Sequence, residues 1–391
     1  MPFISFDQKK LSKILGVCSQ ISNPKNPVEL YTYTRVAIRD ENKVELCAVN
    51  EQVTFKTALK SINLEQLEAD TAFLIKTDLF YSAVNLISDD IVGLDINLET
   101  QSLVVQGARS KHTLRIDVKK VVEFTEPQIT EEKNEVLIQV ASAVLSHAVK
   151  IAQVSVGNPR TVYQSEFLNI CFTLLKEEKK LIVASTDRFR VTKLAPDVKI
   201  VEFFAPFENN TKNYLAPPKS ISMLEFFDAS HPIDLVFNSE YLIARNDEGQ
   251  FIIRYGEGVF PDYNKIIPQS FVCSFSIATK DVSDALKQVL FSARINNDTH
   301  SVKIKVNPEN NRVVFAAETK DGYASESVVD LISYEGDTTP WEQSFNVDYL
   351  VNHINTIEES HLLWEANPGK PSVLSPQNQK ETQLYLVSGL R

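Results

Sequence analysis

The sequence predicts an α+β chain made of three similar domains, each with two helices packed on largely antiparallel sheet, and three recurring landmarks predict it. The first is an amphipathic helix entered from a short apolar strand, at 6–22, 140–156 and 278–295. The second is an alternating strand, a polar turn and another strand, at 44–59, 181–194 and 313–329. The third is a second helix after a short strand, at 76–88, 218–229 and 347–359. The order never changes, and the period stays near about 135 residues, which chance would rarely produce.

Each element has its own warrant. In the first helix Leu11, Ile14, Leu15 and Cys18 fall three and four apart, and in its third copy Val282, Ala285, Leu286, Val289 and Leu290 do the same, so each helix has one face to bury. Asp7 and Asp281 stand near the helix starts, where a carboxylate suits unpaired N–H groups and the positive end of the dipole. Period-two alternation marks the strand pairs. Polar, proline-bearing stretches at 123–134 and 268–272 separate the copies, placing domains at 1–126, 127–268 and 269–391.

Composition narrows the function classes. With 43% hydrophobic and 23% charged residues, the 391-residue chain can bury several cores and is neither disordered nor membrane-like. It contains no run of about 18 apolar residues and no basic segment followed by an apolar leader. Cys18, Cys47, Cys171 and Cys273 are too dispersed for CxxC chemistry, and a reducing cytoplasm is the expected location. No GxxxxGK[ST], HExxH, GxSxG or GxGxxG motif occurs, the six histidines lack metal-ligand spacing, and no catalytic residue, metal or cofactor is expected. Asp89 and Asp90 read as a solvated turn.

A net charge of -11 opposes nucleic-acid binding unless the cations are segregated. They gather on the helices. Lys9, Lys10 and Lys13 lie off the apolar stripe of the first; Lys280, Lys287 and Arg294 recur every seven residues in the third copy, close to two helical turns. The second copy offers Lys150 with His147, and the second helices begin at Lys76 and Lys219. For one helix alone an ordinary solvated face is the better reading; repetition favours a shared cationic wall that would grip phosphates without reading bases.

Specific segments resemble the bacterial DNA polymerase III β subunit, the β sliding clamp family. Ala184-Ser185-Thr186-Asp187-Arg188-Phe189-Arg190-Val191 is similar to the family's A-T-D-G-H-R-L strand-turn, and Gly256-Glu257-Gly258-Val259-Phe260-Pro261-Asp262-Tyr263 to its G-x-F-P-D-Y. Leu168-Asn169, Phe345-Asn346-Val347-Asp348-Tyr349-Leu350 and the terminal Tyr385-Leu386-Val387-Ser388-Gly389-Leu390-Arg391, in place of Y-V-V-M-P-M-R, add to it. Arg188-Phe189 replaces Gly-His and Ser388-Gly389 replaces Met-Pro.

The resemblance implies three DNA-clamp domains, closing as a head-to-tail homodimer ring around double-stranded DNA without sequence preference. It implies a processivity factor without its own catalytic site that tethers the replicative polymerase, the clamp loader and other proteins through short peptides, with no membrane partner. The strand 109–116 would pair across the ring with an edge near 295–305, and His112 stands where the family often has an aromatic. Matched by position, the peptide cleft would contain Leu168, Thr186, Arg190, Val191, Pro261, Lys265, Ile266, Asn346, Tyr349, Pro371, Leu386, Val387, Ser388, Gly389, Leu390 and Arg391. The DNA-facing set would be Lys9, Lys13, Lys25, Lys150, Arg160, Tyr163, Lys219, Lys280, Lys287 and Arg294.

From the residues alone, Leu168, Val191 and Ile266 read as core, Pro261 and Tyr263 as turn formers and Arg190 as a structural ion pair. Two other functions stay open: a phage-encoded or specialised clamp-fold interaction platform without a processivity role, and an acidic multidomain enzyme whose site is not local in sequence.

Overall fold

The computed structural model describes residues 3–40, 43–64, 71–204, 210–295 and 299–390. Among them are six α-helices: α1 (Gln8–Ile21), α2 (Thr77–Asn85), α3 (Ser142–Ala152), α4 (Pro218–Ser222), α5 (Thr279–Arg294) and α6 (Val347–Ile354). They fall in the three helix pairs that the periodicity predicts. None is long and apolar enough to cross a membrane.

Local chemistry sets the helix ends. Asp7 caps α1, its carboxylate accepting from Lys10 N at 2.9 Å, and Leu11, Ile14, Leu15 and Cys18 go into the core. Asp281 supplies only first-turn charge to α5, which has no side-chain cap. Asn346 caps α6 by accepting from the amides of Asp348 and Tyr349. The second helix of the middle copy is shorter than 218–229: α4 passes into a 3-10 turn, Met223–Phe226, and Asp228 then accepts from both the amide and the hydroxyl of Ser230. That local turn competes with further helix.

The chain forms two compact units. One comprises residues 1–143, 198–206 and 219–255; the other comprises 144–197, 207–218 and 256–391. The first holds a 14-stranded sheet, and Phe55, Phe226 and Phe251 meet in its core at ring distances of 4.6 to 6.0 Å. The second holds a 9-stranded and a 4-stranded sheet, with Phe275 and Phe345 packed on fully buried Trp364. Truncating one such aromatic to alanine costs about 3–5 kcal/mol.

Sheets run from one repeat into the next. In the first unit Gly249–Arg254, the last strand of the middle copy, pairs antiparallel with Val53–Lys60 of the first, with Ile252 opposite Thr54 and Ile253 opposite Val53. In the second unit Gln383–Val387 pairs in the same way with Arg190–Leu194, with Leu386 opposite Val191 and Val387 opposite Arg190. Lys111–Asp117 and Ala324–Asp330 are the strands at the corresponding places in the first and third copies. Among the described residues Ala324–Asp330 ends its sheet, hydrogen-bonded on one side only, and Lys111–Asp117 is paired along one edge but on the other only at Ile116 and Asp117.

This corrects the edge expected near 295–305. Ser301–Asn307 is an interior strand, paired with Arg312–Glu318 on one side and Trp341–Asn346 on the other, so its backbone groups are already used. Residues 296–298 lie outside the described residues.

Candidate functional site

Several of the residues expected in the cleft meet at one turn. Between Lys180–Thr186 and Arg190–Leu194, Asp187 Oδ1 accepts from the amides of Phe189 and Arg190 at 3.1 and 3.2 Å, and Thr186 Oγ1 donates to Arg190 O at 2.7 Å while accepting from Arg188 N. Arg188 takes a φ of 80°, the left-handed region the turn demands. Arg190 bonds Asp187 through Nε at 2.9 Å and lays its guanidinium 4.2 Å from the centre of the Tyr349 ring. Burial opposes its charge, yet Tyr385 and the Asp187 carboxylate hold its pKa above the ordinary value.

The residues brought together differ in what they leave open. Val191, Leu386 and Val387 are closed into the sheet and Thr186 is buried; Val191 and Leu386 join a cluster with Phe260, Tyr263, Leu215 and Val373. Leu168, Pro261, Tyr349, Pro371, Ser388, Gly389 and Leu390 are half-buried, and Lys265 and Ile266 are exposed, with Ile266 49% exposed. The half-buried and exposed members are the ones whose side chains remain accessible. Lys265 is paired with Asp262 at 3.2 Å. Arg391 lies outside the described residues.

Several polar groups are already committed. Asn346 uses Oδ1 on the α6 cap and donates Nδ2 to Thr299 O at 3.0 Å. Ser388 N donates to Phe189 O and Leu390 N to Ser344 O, clamping the terminal segment from both sides. A Cβ at Gly389 would meet Gln343 Nε2 at 2.0 Å, so a larger residue there would have to move the Gln343 side chain, whose amide donates to Lys370 O.

Sequence reasoning missed the support beneath. His353 is fully buried, stacked on Tyr385 at 3.8 Å and 9°, and burial, aided by Arg190, pushes its pKa down to about 3. Tyr385 in turn donates its hydroxyl to Tyr349 O at 2.9 Å. Phe189, 53% exposed, adds an aromatic to the turn. The i, i+4 spacing of Tyr349 and His353 was the available signal for the His353 side of this stack.

The predicted cationic residues Lys9, Lys13, Lys25, Lys150, Arg160, Lys219, Lys280, Lys287 and Arg294 are all exposed, as is Tyr163 at 91%. They are not equally free. Lys13 lies 3.6 Å from Glu248 and 4.5 Å above the Phe226 ring; Lys287 pairs with Asp284 at 3.1 Å. Arg294 and His300 both bond Asp348, whose pKa they hold below the usual carboxylate value although burial pushes the other way. Lys9, Lys150, Lys219 and Lys280 form no ion pair among the described residues. The six helices carry eight lysines and arginines against four acidic residues, so they are net positive in a chain of net charge -11.

No protein-family model matches the chain. It is 21% identical over 372 residues to the β sliding clamp of Staphylococcus epidermidis, covering 93% of both chains. It is 22% identical over 355 residues to that of Vibrio cholerae, covering 90% of both. Among solved structures, the β subunit from the DNA polymerase of Streptococcus pyogenes superposes with a TM-score of 0.85 at 16% identity, and the DNA polymerase III β subunit of Thermotoga maritima with 0.84 at 16%, each over 100% of both chains.

Proposed function

From end to end this chain has the fold of the DNA polymerase III β subunit, and with its likeness to β sliding clamps as the premise we propose that it works as one. Two copies close head to tail around duplex DNA and tether the replicative polymerase and other DNA-processing proteins to it. Domains 1–126, 127–268 and 269–391 are the repeating units of that ring, and the chain acts as a cytoplasmic processivity factor without a catalytic site of its own.

The observation that carries the proposal is the repeated ladder. Two junctions inside the chain use one pairing scheme, and the strands that would make the third are left with open edges at Lys111–Asp117 and Ala324–Asp330. Lys111 and Arg115 are exposed on one edge, Glu326 and Asp330 on the other, which suits a heterologous contact between copies. Closure by strand addition also removes two edges that would otherwise template aggregation.

Inside the ring, Lys9, Lys150, Lys219 and Lys280 face the phosphates with Lys13, Lys25, Arg160, Tyr163, Lys287 and Arg294 around them, giving a grip that is non-specific and weak enough to slide. The lip of Leu168, Ile266, Tyr349 and Leu390 takes the short peptides of polymerase and clamp loader over the Val191–Leu386 floor. Retention on nicked circular DNA is the test: the protein should co-elute with the circle at a salt concentration that strips it from linear DNA, and should leave when the circle is cut. Equal retention on both forms defeats the ring.

A further inference from the structure

The first repeat junction has a hollow of its own. It is a cavity of about 210 Å³ lined by Tyr31, the turn 50–53, Thr54, Glu126, Ile252 and Arg254. Register ties it to the cleft described above. Thr54 opposite Ile252 repeats Val191 opposite Leu386, and Arg254 N donates to Gln52 O as Ser388 N donates to Phe189 O. Even the turn is the same: Asn50 Oδ1 accepts from the amides of Gln52 and Val53 as Asp187 does from Phe189 and Arg190.

The chemistry of the two hollows differs. Thr54 puts a hydroxyl where the other junction has a valine, and that hydroxyl, on a residue 1% exposed, has no hydrogen-bond partner among the described residues. Arg254 puts a cation where the other has a serine; among the described residues it meets only neutral groups on Tyr241, the hydroxyl at 3.3 Å and the ring face at 5.6 Å. Glu126 does not compete for it, because its carboxylate already bonds Arg35 and Lys56. A second hollow of about 140 Å³ shares the 50–53 rim and continues toward Lys219, so the combined depression is elongated.

We propose that this first-junction hollow is a second peptide site, selective for an extended segment that brings a carboxylate to Arg254 and a hydrogen-bonding group to Thr54. An elongated groove suits a chain better than a compact ligand. Its lining carries Glu51 and Glu126 as well as Arg254 and Lys219, but Glu126 is engaged and Arg254 has no carboxylate partner among the described residues, which suits a segment with one carboxylate at that end. The site takes its geometry from the repeat and works whether or not the ring closes.

The test uses fluorescence anisotropy on the full-length protein. The probes are a labelled hexapeptide pool with Asp fixed at one central position among Ala, Leu, Ser and Gln, and its twin with Asn fixed there. The Asp pool should bind about tenfold more tightly than the Asn pool, and Arg254→Ala should remove that advantage. Thr54→Val, nearly isosteric, should weaken binding about threefold while the melting temperature holds or rises, since it removes an unpaired buried hydroxyl. Ile266→Glu, a lesion at the other junction, should change nothing. Equal affinity of the pools, indifference to either first-junction variant, loss of binding through Ile266→Glu, or no saturable binding would each overturn the proposal.

Discussion

Val191 faces Leu386 across an antiparallel ladder at the same register step at which Thr54 faces Ile252. A single pairing scheme therefore builds two junctions, and at the later one it leaves an apolar floor beneath the half-buried Leu390 and exposed Ile266. Deleting Leu390 and Arg391 should abolish binding of a polymerase-derived peptide while the melting temperature and oligomeric state hold, because lip residues contribute little to the core. Leu386→Ala should instead cost about 2–5 kcal/mol of stability, read by denaturant unfolding, since it opens a cavity. Unchanged peptide affinity after the deletion would remove the cleft assignment.

Ring closure makes a prediction with its own internal control. Reversing the charges of Lys111 and Arg115 to Glu should leave a monomer, and so should reversing Glu326 and Asp330 to Lys, because either change sets like charges across both junctions. Mixed together, the two variants should form a heterodimer: one junction then carries both reversals and the other carries none. Native mass spectrometry reads all three states, and a mixture that stays monomeric would rule out these edges as the contact.

How far the sequence could be read is clear from these elements. The helices were legible because apolar residues three and four apart leave little choice, and Asp7 marked the α1 start. The open sheet edge was not. Ser301–Asn307 and Ala324–Asp330 both alternate buried and exposed side chains, and alternation reports a strand's faces, not whether its backbone groups have partners on both sides. In the cleft, residue types placed Arg190 and Asn346 but could not show that one is held by Asp187 and Tyr349 and the other used up in capping α6. The close approach of Gln343 to Gly389, 46 residues away in the chain (389 against 343), is equally invisible to local pattern.

Salt dependence should separate free cations from engaged ones. A lysine neutralising one phosphate contributes about one unit to the slope of log K against log salt. Lys280→Ala and Lys150→Ala should each lower that slope by nearly this amount on short linear duplexes. Arg294→Ala should lower it less, because Asp348 already holds the guanidinium. The measurement is a fluorescence titration across a salt series, and equal losses for Lys280 and Arg294 would show that the Asp348 pair breaks on DNA.

The buried His353 should set an acid limit on stability. Its pKa lies near 6.5 when exposed and is pushed down to about 3 in the folded chain, by burial first and then by Arg190. Between those values the unfolded chain binds a proton that the folded chain refuses, so stability should be full above about pH 6.5 and fall steadily as pH drops toward 3. Neither ring nitrogen has a hydrogen-bond partner among the described residues, so His353→Phe can keep the stack on Tyr385 without losing a bond. That variant should flatten the dependence of unfolding free energy on pH between 4 and 6.5, measured by urea titration at stepped pH. A slope as steep as the parent's would assign the acid sensitivity to other groups.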